Sequence, residues 1–375
     1  MPNVRSLVFI AGLLLAPSSL AAEPVAAGEP AASAALRTFA DWKTGCDNLR
    51  NCTAIGLPPR GEETVGYIVV RRGGAPHAPP RVSLKMASEL PFKSPATLSI
   101  KVDDAPVAGL SRASWPAAIT DTGTFVAADI DGPDAQHLLR YMSAGKTLRV
   151  LVTGEGRKPE TGTLSLSGIV AAFTHLDAVQ HRTGTVTALI TPGTAPADGI
   201  PAVPPMPVLA ALRMEPLVPA PETLPAGVTP PDLDDCAGSI PPVPLVIRVS
   251  PRLTLWGICY VRGSYNEQST FWLVGDGTPR QVAFPLPDGL SWTDGPSILE
   301  NPNVSEDRLA LQSNPRGRGA GDCGAAISWV WTRTDFRLAS LSQMDECRGV
   351  RSEDWPVTYI THRARDAAGM PHLDK

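Results

Sequence analysis

Apolar and polar residues alternate in short bursts along most of this chain. Before residue 190, the segments FADWKT at 39–44, VGYIVVRR at 65–72, RVSLKM at 81–86, TLSIKV at 97–102 and TLRVLVT at 147–153 have strand length and are bounded by turn residues. Two segments carry the helical period instead. Residues 133–144 put Leu138, Leu139 and Met142 on one face, with Asp131 as a candidate cap and Gly145 as a stop. Residues 168–181 repeat Ile169, Ala172, Phe173, Leu176 and Val179 at helical spacing. Past residue 240 the pattern is nearly all strand, at 245–249, 253–261, 269–274, 308–312, 326–331, 336–341 and 357–361. The pattern predicts a mainly β fold with two short helices. Residues 36–190 form an N-terminal β-sandwich-like domain, and 232–363 form a C-terminal antiparallel β domain, a meander closed as a sandwich or barrel.

Between the two, residues 191–231 change character, with a proline every few positions. Proline fixes its own backbone and donates no N–H, so this stretch reads as a semi-rigid linker kept out of any sheet ladder. Some of it could lie along a domain surface through Val208, Leu209 and Leu212. Over the whole chain 39 prolines and 33 glycines against 6% aromatics favour strands joined by turns.

The first residues read as a signal peptide, 1–21. Arg5 precedes an unbroken apolar run from Leu7 to Ala16, and Ser19 and Ala21 supply the small-x-small cleavage pattern. That run is shorter than the roughly 20 residues that cross a bilayer, and no later stretch approaches a span. The expected location is therefore the periplasm or the outside of a Gram-negative bacterium. A formal charge of -4, with Lys and Arg scattered, gives no nucleic-acid footprint and no polybasic membrane anchor.

Six cysteines in an exported chain are expected to pair. Six allow 15 pairings. Chain order favours the sequential one, Cys46 with Cys52, Cys236 with Cys259 and Cys323 with Cys347. No C-x-x-C occurs and no histidine lies near a pair, so neither a metal nor another cofactor is expected.

Four patterns resemble chemistry. Gly319 to Gly324 matches G-x-G-x-x-G, but a strand rather than a helix N-terminus follows it, so it reads as a loop turning into Cys323. Ser143 and Lys146 form S-x-x-K without the companion elements in their required order. His175, Asp177 and His181 share the second helix, but at about 100° per residue they do not converge on one metal. Charge pairing and compensation of the helix end explain them as well. Finally, Trp329 and Trp331 share one face of a strand, which is either core or an aromatic platform for a glycan or peptide, with core preferred. No catalytic residue is assigned.

Three stretches, FADWKTGCDNLRNCTAIGL at 39–57, LSLSGIVAAFTHLDAVQHRTGTVTALITPG at 164–193 and RGRGAGDCGAAISWVWTRTDFRLASLSQMDECRG at 316–349, resemble the exported bacterial family DUF1176, domain of unknown function 1176. Around Trp42 and Cys46, and in the helix after Ser167, the first half is also similar to the invasion-associated locus B proteins. The chain has Thr332, Arg333, Thr334 and Asp335 where the first family has an aspartate-glycine turn, a change confined to a hairpin tip. Since that family carries no assigned activity, the resemblance implies location and architecture and transfers no catalytic residue. The expected function is a non-catalytic envelope protein that binds a wall or envelope macromolecule, glycan, peptide or protein, or helps keep the envelope intact. The alternatives are a cell-wall-active enzyme and a secreted inhibitor of wall-degrading enzymes.

Overall fold

The computed structural model describes residues 35–365 except 62–65, 89, 121–122, 230–235, 237–242, 289, 291 and 293–294. The expected signal peptide lies outside the described residues. The chain starts as an antiparallel meander: β1 (Arg37–Phe39), β2 (Trp42–Cys46), β3 (Cys52–Gly56), β4 (Tyr67–Arg72) and β5 (Pro80–Ala87). It continues through β6 (Ala96–Val102), β7 (Ala105–Pro106), β8 (Ser114–Thr120), β9 (Phe125–Ile130) and helix α1 (Gly132–Ser143). The hairpin β10 (Thr147–Gly154) and β11 (Glu160–Ser165) then leads into helix α2 (Ile169–Val179). All these strands join one sheet in the order β1-β2-β3-β4-β5-β9-β8-β6-β10-β11, with β7 on β6.

That sheet curls around the apolar faces of both helices. Val82, Leu84 and Met86 of β5 alternate with more exposed residues and meet Leu138, Leu139 and Met142 of α1 in one core. Phe173 of α2 stands edge-on to Trp42, ring centroids 5.2 Å apart. Gly168 fixes the entry of α2, because its φ is 93° and a Cβ there would lie 1.9 Å from the Phe39 carbonyl oxygen. The segment expected as one strand at 39–44 is broken at Ala40, whose φ of 50° reverses the chain between β1 and β2.

The later strands are β12 (Val208–Ala211), β13 (Glu215–Pro216), β14 (Leu245–Ser250), β15 (Leu253–Arg262), β16 (Glu267–Val274), β17 (Arg280–Gln281) and β18 (Ile298–Glu300). They are followed by β19 (Asn303–Val304), β20 (Leu311–Ser313), β21 (Gly324–Trp331), β22 (Phe336–Met344), β23 (Val357–Ile360) and β24 (His362–Arg365). One sheet runs β13-β14-β15-β16-β17 with β18 on β16, and the other runs β19-β20-β21-β22-β23. Phe271 and Leu273 of the first sheet face Ile327, Trp329 and Trp331 of the second, so the two sheets form a sandwich. The three disulfides are Cys46–Cys52, Cys236–Cys259 and Cys323–Cys347, the first joining directly opposed positions of β2 and β3.

The proline-rich stretch departs from the expectation that it stays out of any ladder. Its proline-free piece Val208–Ala211 retains every N–H and pairs in parallel with β24. Leu209 and Ala211 then cover Val330 and Ala339 on the outer face of the second sandwich sheet. Upstream, Arg50 donates to the carbonyls of Pro201, at 2.9 Å, and Ala202, so the stretch is also tied to the first sheet.

The curled sheet and the sandwich meet at a packed junction. Ile55, Leu57, Tyr67 and Val69, on the face of β3 and β4 turned away from the helices, pack against Met344, Val350 and Trp355. Polar contacts surround this cluster. Arg348, whose side chain is 3% exposed, donates from Nε to Pro58 O at 2.8 Å and lies 3.1 Å from Asp41. Lys43 meets Asp345 at 2.5 Å. Buried Asp354 accepts from Tyr67 Oη and Arg71, both at 2.7 Å, with Lys85 Nζ 3.5 Å away.

Candidate functional site

Each sequence pattern that resembled chemistry has a definite place in the fold. Trp329 and Trp331 are fully buried in the sandwich core, and Trp329 Nε1 donates to Pro285 O at 2.8 Å. Neither ring has surface left for a ligand, so the platform alternative for this pair is replaced by core. The strand face opposite them is covered by the strap at β12, where Leu209 and Ala211 face inward while Val208, also expected on a domain surface, is exposed.

The helix residues diverge. Asp177 points inward, 3.4 Å from Arg72 Nη1, and accepts from the Leu189 N–H at 2.8 Å. Burial pushes its carboxyl up, while the Leu189 amide, Arg72 and Arg182 pull it down. Arg182 is itself fully buried and donates to the carbonyls of Pro76, Ala75 and Gly73, at 2.5, 2.6 and 3.2 Å. Together with Gln180, which bonds Arg50 O and Arg72 O, these groups anchor the loop after α2 to the ends of β3 and β4. The network is structural. His175 faces the other way, its ring 5.5 Å from Phe39, and burial followed by nearby Arg37 lowers its pKa. His181 is exposed, with a φ of 56° just beyond the helix.

Ser143 Oγ donates to Arg140 O at 2.7 Å, and the backbone of exposed Lys146 binds Asp103, so no Ser–Lys nucleophile pair is assembled. The glycine run is a loop held by Asp322, which accepts from Arg318 at 2.7 and 2.5 Å and from the Gly349 N–H at 2.6 Å. The loop leads into β21, and the helix needed to face a dinucleotide is replaced by a strand.

A cleft of about 670 Å³ opens along the outward side of α2. It lies where the curled sheet fails to close. Among the described residues the end strands β1 and β11 do not pair, and just beyond them the Asp41 N–H donates to Ser167 O at 3.2 Å. Phe39, Val170, Ala171 and Ala178 give apolar wall, and Ser143, Thr174 and His175 give polar edges. Val170 was not singled out by sequence reasoning. Its signal is an aliphatic residue on the outer side of an amphipathic helix, 45% exposed here.

Among the described residues no helix is long and apolar enough to cross a membrane, and no cluster of three His, Cys, Asp or Glu side chains is placed to hold a metal. A curated relative, the uncharacterized protein YpfG of Escherichia coli K12, is 26% identical over 356 residues, spanning 88% of this chain and 94% of that protein. The crystal structure of invasion associated protein B from Bartonella henselae matches 39% of this chain and 99% of its own at 19% identity. Its TM-score of 0.28 is too low to carry the fold across. The family described as protein of unknown function, DUF1176, matches residues 36–362, and with that span covering nearly every described element the chain belongs to the DUF1176 family.

Proposed function

We propose that this is an exported protein of the Gram-negative envelope, periplasmic or secreted, that binds an envelope macromolecule and performs no catalysis. The observation that carries this reading is how the reactive candidates are used. Ser143 and Asp177 are bound into the fold, and the tryptophan pair is core, whereas the α2 cleft presents a mainly apolar wall to solvent. Three disulfides suit an oxidising compartment. Removal of residues 1–21 and division into 36–190 and 232–363 with 191–231 between them belong to the same reading.

Purified wall and membrane fractions from the host provide the test. The protein should sediment with one of them and release no soluble fragments over hours, followed by chromatography of the supernatant. Steady release of wall fragments would establish the wall-active enzyme in its place. Mass spectrometry of the native protein should find a new N-terminus near Ala21, and an intact Met1 on most molecules would remove export from the reading.

A further inference from the structure

With both core tryptophans excluded, Tyr265 is the one aromatic side chain that is clearly exposed among the described residues, at 43%. It sits in the β15–β16 turn, with its hydroxyl 3.4 Å from Gly317 O, so the ring lies beside the loop entering β21. That loop keeps the ring bare. The nearest atom to a Cβ built at Gly319 would be Tyr265 Cδ1, at 3.8 Å, so any larger residue there would extend over the phenol.

Beside the ring lie two carboxamide pairs and a link between them. Asn301 Nδ2 donates to Asn266 Oδ1 at 2.8 Å and to Asn314 O at 2.9 Å. Asn314 Nδ2 donates to Asn303 Oδ1 at 3.0 Å, and Asn303 Nδ2 to Gln312 Oε1 at 2.8 Å. The inner members join β16, β18, β19 and β20, and structure alone explains them. At the outer end of this group the half-exposed Gln312 Nε2 and Asn314 Oδ1 make no hydrogen bond to other described residues and face solvent. The neighbouring Arg316 is exposed, and its guanidinium likewise has no partner there.

We infer that this surface of the sandwich is a glycan-binding site for a pyranose chain carrying carboxylates. An exposed phenol offers a flat apolar face of the kind that packs on the C–H face of a sugar ring. A carboxamide both donates and accepts, as adjacent sugar hydroxyls do, and an amide already oriented by its neighbour loses little freedom on binding. Arg316 supplies the cation for a carboxylate on the sugar. The inference rests on the binding role proposed above and adds to it a surface on the sandwich, separate from the α2 cleft, with its own ligand class.

Titration calorimetry of the disulfide-intact protein tests it with three soluble probes. These are an N-acetylglucosamine tetramer, wall glycan strands stripped of peptide so that their lactyl carboxylates are free, and polyglutamate. The acidic glycan should bind more tightly than the neutral one, and polyglutamate should not bind. Tyr265→Ala should weaken both glycans about tenfold or more. Gly319→Leu, which covers the ring from a position with ordinary backbone geometry, should do the same with Tm unchanged. Arg316→Gln should remove only the preference for the acidic strand. Unaltered glycan affinity in both Tyr265→Ala and Gly319→Leu would overturn the assignment. So would a wild-type protein that ignores both glycans, and if that protein still sediments with envelope fractions, the binding role survives while this site does not.

Discussion

At the scale of single residues, the two sandwich tryptophans behave differently although both are fully buried. Trp329 combines ring burial with a hydrogen bond to Pro285 O, whereas Trp331 Nε1 has no acceptor among the described residues. Truncating Trp329 to alanine should cost about 3–5 kcal/mol, read as a lower urea midpoint. The phenylalanine variants separate the two terms, since Trp329→Phe loses a hydrogen bond of about 1 kcal/mol that Trp331→Phe does not. Equal midpoints for the two phenylalanine variants would contradict this. A second residue-scale device is Asp103, where the backbone N–H groups of Lys146 and Thr147 hold the carboxyl below the usual aspartate range. Its folded pKa is depressed, so its stabilisation is present above the unfolded pKa and fades as pH falls through the folded one. Wild type should be more stable than Asp103→Asn at neutral pH, and acid-side denaturation curves should show that difference disappearing.

Among the elements, the strap formed by β12 matters most. Val208–Ala211 has only two inward side chains, Leu209 and Ala211, and they shield Val330 from water. Ala211 is fully buried, so a charge there must be desolvated or the strap must lift off. Ala211→Asp should therefore lower Tm by several degrees and make backbone amides 208–211 exchange rapidly with deuterated solvent. Unchanged protection at 208–211 would mean that the parallel pairing with β24 contributes little. The disulfides belong to this scale as well. Cys46–Cys52 closes the β2–β3 hairpin, while Cys323–Cys347 joins the glycine loop to the segment that supplies Asp345, Glu346 and Arg348 to the junction. Peptide mapping without reductant should return the three sequential pairs and no crosslink from Cys46 or Cys52 to the sandwich.

For the whole molecule, the junction decides how the protein unfolds and where it is cut. An apolar cluster ringed by Arg348–Asp41, Lys43–Asp345 and the Asp354 group makes the curled sheet and the sandwich mutually dependent. A fragment of residues 36–190 should bind a hydrophobic dye far more than the full chain does, because Ile55, Leu57, Tyr67 and Val69 lose their cover. Arg348→Ala strips charged hydrogen bonds from a buried site and should cost about 2 kcal/mol in one cooperative transition. Broad-specificity proteolysis should cut first at 218–227, where Val218 is 89% exposed, because the rest of the connecting stretch is tied down at 201–202 and 208–216.

Much of the fold was legible in the chain because periodicity and turn chemistry are local. The helices lie within two residues of their expected ends, since Pro133 and the glycines at 145 and 168 act on their own neighbours. The strands β3, β8, β9 and β11 are not among those the pattern predicts, and pairing with the predicted strands β4, β6, β5 and β10 defines them. Of the candidate site, the sequence brought Ser143 and His175 to notice but not the cleft between them, because no local signal records that β1 and β11 fail to meet. The segment VGYIVVRR reads as a strand, but only the fold shows that β4 is covered on both faces, five of its six residues being buried. Sequence by itself determined the mainly β class, the two helices and the alternation that sends Trp329 and Trp331 to one side. Only tertiary structure decided that the far side of that strand lies under a strap more than a hundred residues earlier in the chain, and that the tail of the sandwich seals β3 and β4. Which faces meet depends on contacts between segments far apart in sequence, and no local pattern encodes the partner.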